Sequence, residues 1–226
     1  MVKIFRQLEG NEDLVCGGDP GEGVSFCAAV YISRKYHDTP ITYHARVESP
    51  QFGEELVKIG NYVKKKTGNF PLLAVERNIG QATIQKLLDY DYPSDKLYRQ
   101  ATFDRFTKKR EMRIGFVTSS ANRRKMLDEL AMDIRKNLLK IYDEDIISEM
   151  LTFVINERTN EPRPESGRYS DLIMATAIAN QMLRETVGSS EWAPNRVKKD
   201  DSKFLPAKAE GFIVEKFQPK QDWRNA

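Results

Sequence analysis

Two cysteines, two histidines and no long apolar run set the first limits on this 226-residue sequence. Cys16 and Cys27 lie in apolar segments with ten residues between them, and His37 and His44 stand elsewhere. The closely spaced pairs of a zinc site are therefore missing, and two buried free thiols, neither an obvious nucleophile, are expected. No stretch approaches the ~18 residues of a membrane span, and the opening MVKIFRQLEGNEDL lacks the charged, apolar and cleavage regions of a secretory signal. An intracellular protein is expected. No G-x-x-x-x-G-K-[ST] stretch occurs, so no loop of that kind cradles a nucleotide and ATP is not expected to bind. Repeats and low-complexity segments are also missing. The formal charge of +3 is too mild to declare a nucleic-acid partner by itself. What is present, 40% hydrophobic and 31% charged residues, fits one globular domain able to bury a real core.

The order of elements predicts a mixed α/β sheet. LVCGGD, VSFCAAVYIS (24–33) and ITYHARVES (41–49) are rich in β-branched and aromatic residues and read as an antiparallel meander. Residues 51–69 place Leu56, Ile59, Tyr62 and Val63 at helical spacing and stop at Gly68-Asn69. FPLLAVERN (70–78) is a continuous apolar run, the pattern of a strand covered on both faces, and a helix follows at 80–90. A parallel crossover therefore joins the meander. A short strand at 96–100, a helix at 121–139, a helix ending as a strand within 143–157, and a helix at 170–185 complete the pattern. Domain limits of 1–187 are expected, with 188–226 as a loosely held extension carrying one strand-like run at 210–217.

Three acids fall at element ends: Asp19 closing the first strand of the meander, Glu76 closing LLAVE, and Asp171 opening the last helix. Singly, each has a structural account. Gly-Gly-Asp-Pro is turn chemistry, Glu76 could pair with Arg77 or Arg99, and Asp171 suits a helix dipole with Ser170 as N-cap. Together they imply more. If the Glu76 strand lies beside the Asp19 strand, both carboxyl groups reach one edge of the sheet, and helix packing can add Asp171. Converging carboxylates repel unless a cation neutralises them, and oxygen ligands without histidine or cysteine select Mg²⁺ or Mn²⁺. Two such ions about 4 Å apart suit phosphodiester cleavage. Basic clusters at Lys64-Lys65-Lys66, Lys108-Lys109-Arg110 and Arg123-Arg124-Lys125 could hold phosphate, although such a run is usually a solvated helix face.

Six blocks carry a family resemblance in order: GGDPGEGVSFCAAVYI, LLAVERNIGQATIQKLL, KLYRQ, KKREMRIGFVTSSANRRKMLDEL, DEDIISEMLTFV and GRYSDLIMATAIANQ. From about residue 12 to 185 the chain resembles the C-terminal nuclease domain of the large terminase subunit of tailed phages. That resemblance implies a ribonuclease H-like fold and metal-dependent endonucleolytic cutting of concatemeric double-stranded viral DNA during genome packaging in the host cytoplasm. It maps the catalytic metal-binding acids to Asp19, Glu76 and Asp171, with Asp19 bridging two Mg²⁺ or Mn²⁺ ions and Glu22 as an outer ligand. The implied partners are double-stranded DNA, a packaging ATPase domain, the portal protein and a small terminase subunit. The ATPase domain is not part of this sequence, which implies a nuclease domain excised or encoded separately. Lys108, Lys109, Arg110, Arg123, Arg124 and Lys125 would position the DNA backbone without reading bases. There are two departures: the family commonly has His-Asp-Asp-Leu where this chain has Tyr169-Ser170-Asp171-Leu172, which removes or alters metal contacts from the first two positions, and where many relatives have a further Asp several residues after the first acid this chain offers Glu22 and Ser25. Two rivals follow from the same residues. One is a junction resolvase or another ribonuclease H-like nuclease. The other is a non-catalytic DNA-binding or portal-docking module in which the acids only hold structure.

Overall fold

The computed structural model describes residues 1–21, 25–103, 108–156 and 162–186. Five strands form its main sheet: β1 (Val2–Ile4), β2 (Leu14–Asp19), β3 (Cys27–Ser33), β4 (Ile41–Ala45) and β5 (Leu72–Val75). Their spatial order is β1-β4-β3-β2-β5. The expected meander is β2-β3-β4, antiparallel throughout, while β1 adds to β4 and was too short to be read from sequence. β5 runs parallel to β2, with Gly17 opposite Ala74 and Gly18 opposite Val75. A parallel neighbour needs a long crossover, and α1 (Ser49–Thr67) supplies it. α2 (Gln81–Asp89) follows β5 and packs on α1.

Successive residues of a strand face opposite sides, and here both sides are covered. Cys27, Ala29 and Tyr31 of β3 meet the α1 side with Phe52, Leu56, Ile59 and Val63. Ala28, Val30 and Ile32 meet the other side, built by α3 (Ser120–Arg135), α4 (Glu144–Leu151) and α5 (Asp171–Thr186). Every residue of β3 is consequently buried. Cys16 and Cys27 are free and buried, as expected, and burial raises both thiols above their ordinary pKa.

Helix α5 lies on β2 and β3 at close range because its contact face is small. A Cβ at Gly17 would fall 2.1 Å from the Ala175 carbonyl oxygen and 2.4 Å from the Ala179 nitrogen. Glycine at 17 is thus a requirement of the helix–sheet approach, and any side chain there must displace α5 and with it Asp171. Helix α3 is fixed to α5 through buried Asp133, which accepts hydrogen bonds from Asn180 Nδ2 at 2.8 Å and from Arg184 Nη1 at 2.9 Å.

The remaining differences from the sequence reading lie at small elements. The strand expected at 96–100 is split: Ser94–Lys96 is a single 3-10 turn, Leu97 bridges Leu73, and β6 begins at Arg99 and ends at Phe103. β7 (Arg110–Ile114) pairs with it, and its exposed REMRI pattern gave no apolar signal. The helix expected over 121–139 ends at Arg135, after starting at a capping box of Ser119 and Asn122. The helix-then-strand reading of 143–157 resolves into α4 and β8 (Phe153–Ile155), which pairs with a proline-flanked β9 (Pro162–Pro164). The strand-like run at 210–217 and the extension 188–226 lie outside the described residues.

Candidate metal centre

The parallel pairing of β2 and β5 decides where the first two acids go. Gly18 and Val75 are register partners, and the Glu76 N–H donates to the Gly18 carbonyl at 2.8 Å. Asp19 and Glu76, each one residue further along, therefore leave the same edge of the sheet side by side. Their carboxyl groups are in hydrogen-bonding contact, and the charges of Asp171 and Arg123 also act on Asp19. Asp171 arrives as the first residue of α5, and its own N–H and that of Phe26, at the entrance to β3, act on its carboxylate.

Burial and the neighbouring Glu76 carboxylate push the Asp19 pKa well above its ordinary value, with Asp171 adding to the rise and Arg123 opposing it. Burial also raises Asp171. Asp171 Oδ2 is buried without a hydrogen-bond partner among the described residues. Glu76 forms no ion pair with Arg77 or Arg99; Asn78 Nδ2 donates to it at 3.4 Å while holding the Thr118 carbonyl at 2.6 Å. The structural accounts of these acids thus leave charge uncompensated at one edge. Oxygen donors crowded in this way fit a hard divalent cation.

Two further residues enter the constellation. The Glu149 Oε2 of α4 accepts the Ile173 N–H at 2.9 Å, and burial, partly opposed by the Ile173 and Leu172 N–H groups, raises its pKa to about 7. His44 of β4 comes within the same group, so that one donor atom each from His44, Glu149 and Asp171 lies within 4.8 Å of the others. Burial lowers the His44 pKa, its ring packs on Phe26 with centroids 4.5 Å apart, and its Nε2 is buried without a partner among the described residues. The sequence reading, which named acids alone, did not single out either residue. Sequence gave little warning: Glu149 sat in an amphipathic helix, and His44 in a strand whose alternation spoke only for the sheet.

The basic clusters separate. Arg123, in the first turn of α3, acts on Asp19, and its Nε is buried without a partner among the described residues. Arg124 and Lys125 turn outward and pair with Asp128 and Glu129 one turn on, at 3.7 and 3.9 Å. Both lie on the exposed face of α3. Lys108, Lys109 and Arg110 are exposed at the far end of β7. Arg110 stands on the order of 20 Å of extended chain from Phe116, which bridges Glu76. Lys64, Lys65 and Lys66 occupy the last turn of α1, where they complement the helix dipole. The first turn of that helix is the end near the acids, since Ser49 Oγ donates to the Gly21 carbonyl. Glu22 lies outside the described residues. Tyr169, half-exposed, packs edge-on to Phe26 at 5.1 Å.

No protein-family model matches the sequence, and no curated protein matches it significantly. Solved structures do match. The large terminase nuclease from thermophilic phage G20c aligns with TM-score 0.55 at 12% identity, over 80% of this chain and 93% of that one. Its magnesium-bound form gives 0.56 at 11% identity, over 80% and 92%. The same nuclease has also been crystallised with cobalt and with zinc. The large terminase nuclease domain of Thermus phage P74-26 aligns with TM-score 0.51 at 12% identity, over 78% and 89%. With its five-stranded mixed sheet between two layers of helices, the chain has the ribonuclease H-like fold of the large terminase nuclease domains.

Proposed function

We propose that this protein is a divalent-metal-dependent endonuclease that cuts double-stranded viral DNA as the nuclease part of a large terminase. The observation that carries this reading is the placing of Asp19 beside Glu76 at the carboxyl ends of parallel β2 and β5, with the charge of Asp171 acting on Asp19 from the start of α5. Asp19, Glu76 and Asp171 would hold the divalent ions, Mg²⁺ or Mn²⁺, of this centre. Bound there, the ions supply activation of water for in-line attack on phosphorus and offset charge on the leaving 3′ oxygen. The protein's own part is to hold three carboxylates in register on a rigid sheet edge and helix start, and to aim Arg123 at the developing phosphate charge. Glu22, three residues after Asp19, is proposed as an outer ligand. By the same reading the chain works in the host cytoplasm with a packaging ATPase domain, a portal and a small subunit that selects the cutting site.

Linear duplex, four-way junction and RNA/DNA hybrid substrates, each incubated with the chelated protein and a titration of Mn²⁺ or Mg²⁺, test this. Cleavage of plain duplex that rises over millimolar metal, more with Mn²⁺ than Mg²⁺, is expected. Preference for the junction would make the chain a resolvase, and full activity after exhaustive chelation would remove the metal from the chemistry. The isolated chain should cut with little sequence preference, because contacts to phosphate carry no base information.

The split within the 123–125 cluster gives a second test. Arg123→Ala is expected to reduce cleavage at saturating DNA by roughly 10–100-fold, the scale of losing one positioned donor. Replacing Arg124 and Lys125 together should leave both the rate and the salt dependence of binding close to wild type, since each is already paired. A flattened salt slope in the double variant would return those two residues to the DNA-binding surface. Lys108, Lys109 and Arg110, carried out along the β7 ribbon, are proposed to touch backbone at a distance from the cut.

A further inference from the structure

The acid edge explains Asp19 and Glu76, but it does not explain why a histidine and a fourth carboxylate sit against Asp171. Glu149 has an ordinary role open to it as a cap for the first turn of α5, through the Ile173 N–H. That role leaves two atoms without an account. Asp171 Oδ2 and His44 Nε2 are both buried and unpartnered among the described residues, and both belong to one group with Glu149. A buried polar atom without a partner is destabilising, so two such atoms on residues of one group call for something that satisfies both. Carboxylate oxygens and an imidazole nitrogen within 4.8 Å of one another are a donor set that a divalent cation can use.

We propose that His44, Glu149 and Asp171 form a second cation position, sharing Asp171 with the Asp19–Glu76 position and adding a nitrogen ligand to it. This rests on reading the acid edge as a metal centre. The donors come from β4 within the sheet and from α4 and the start of α5, which pack on one face of it. Their set is mixed, one nitrogen with carboxylate oxygens, which suits Mn²⁺, Co²⁺ or Zn²⁺ better than Mg²⁺. The Tyr169-Ser170 pair just before Asp171 offers no carboxylate or imidazole, so ligands for a second ion have to arrive from elsewhere in the fold. The consequence is a pair of unlike positions, one of oxygen donors alone and one that prefers a transition metal.

The test reads ligand identity rather than turnover. Metal-free, untagged protein is loaded with Mn²⁺, binding is followed by calorimetry, and electron spin-echo modulation detects nitrogen bound to the ion. Nitrogen coupling is expected in the wild type and in His37→Gln, where His44 is the only histidine left. His44→Gln should lose the coupling and bind that ion roughly tenfold or more weakly, while Asp19→Asn should keep the coupling. A wild-type spectrum without nitrogen coupling overturns the proposal whether or not the variants fold, and so does coupling that survives His44→Gln. The two readings fail separately. Asp19→Asn inactive with no nitrogen coupling in the wild type leaves the nuclease standing without this position; full cleavage by Asp19→Asn, with coupling that depends on His44, leaves this position standing without the Asp19-centred chemistry.

Discussion

Asp19→Asn is expected to reduce duplex cleavage in Mn²⁺ by about a thousandfold or more and, in the same protein without metal, to raise the melting temperature. The two effects have one cause. Asp19 shares a hydrogen bond with Glu76, is surrounded by protein, and feels Asp171 as well, so its charged form is disfavoured on every side except that of Arg123. Asparagine keeps the shape and can donate to Glu76, which relieves the repulsion. It cannot supply the negative charge that a cation needs. Loss of several kcal/mol of metal-assisted stabilisation corresponds to about three powers of ten in rate at ~1.4 kcal/mol each. The gain in stability should be read as roughly 2–4 °C for each kcal/mol recovered in a chain of this size. Cleavage assays beside calorimetric melts check both halves. A folded Asp19→Asn protein that still cuts removes Asp19 from the chemistry, and one that is inactive because it melts lower says the residue was structural.

The legibility of the fold and site in the sequence followed the range of the interactions involved. The β3 run VSFCAAVYIS and the β5 run LLAV declared themselves because burial on both faces demands apolar residues at every position. Asp19 and Glu76 were legible for the same reason: each is the first charge after such a run, and parallel neighbours end at the same edge. β7 was not legible because a two-stranded ribbon exposed to solvent imposes no apolar pattern on REMRI. His44 and Glu149 were missed for a different reason. They reach Asp171 through packing among β4, α4 and α5, and contacts between residues 44, 149 and 171 leave no local spacing to read. The basic clusters looked equivalent as runs of letters; helix phase separated Arg123 from Arg124 and Lys125. Positions 188–226 and Glu22 remain expectations from sequence.

Without metal, the stability of this protein should fall as pH rises from about 4.5 towards 7, and divalent cation should restore it most at the upper end. Asp19, Asp171 and Glu149 all have folded-state pKa values raised above their ordinary ones, Glu149 to about 7. An acid raised in this way holds its proton longer in the folded state than in the unfolded chain. Below the unfolded value, near 4, both states are protonated and nothing is lost. As pH climbs, the unfolded chain releases its protons first, which favours unfolding, and the loss is complete once pH passes the folded pKa. The sign is therefore opposite to that of a salt-bridged carboxylate, whose stabilisation grows over the same window. A cation that binds only the folded, deprotonated site adds stability as the logarithm of its concentration over its dissociation constant, and competes better as protons leave. Melting curves in chelator and in millimolar Mn²⁺ across pH 5 to 8 should therefore diverge, with little separation at the acid end and several degrees at the alkaline end. Asp19→Asn should flatten the chelator curve and reduce the metal-induced rise. Parallel curves with and without metal would mean that the carboxylates at the ends of β2, β5 and α5 are stabilised by protein partners alone.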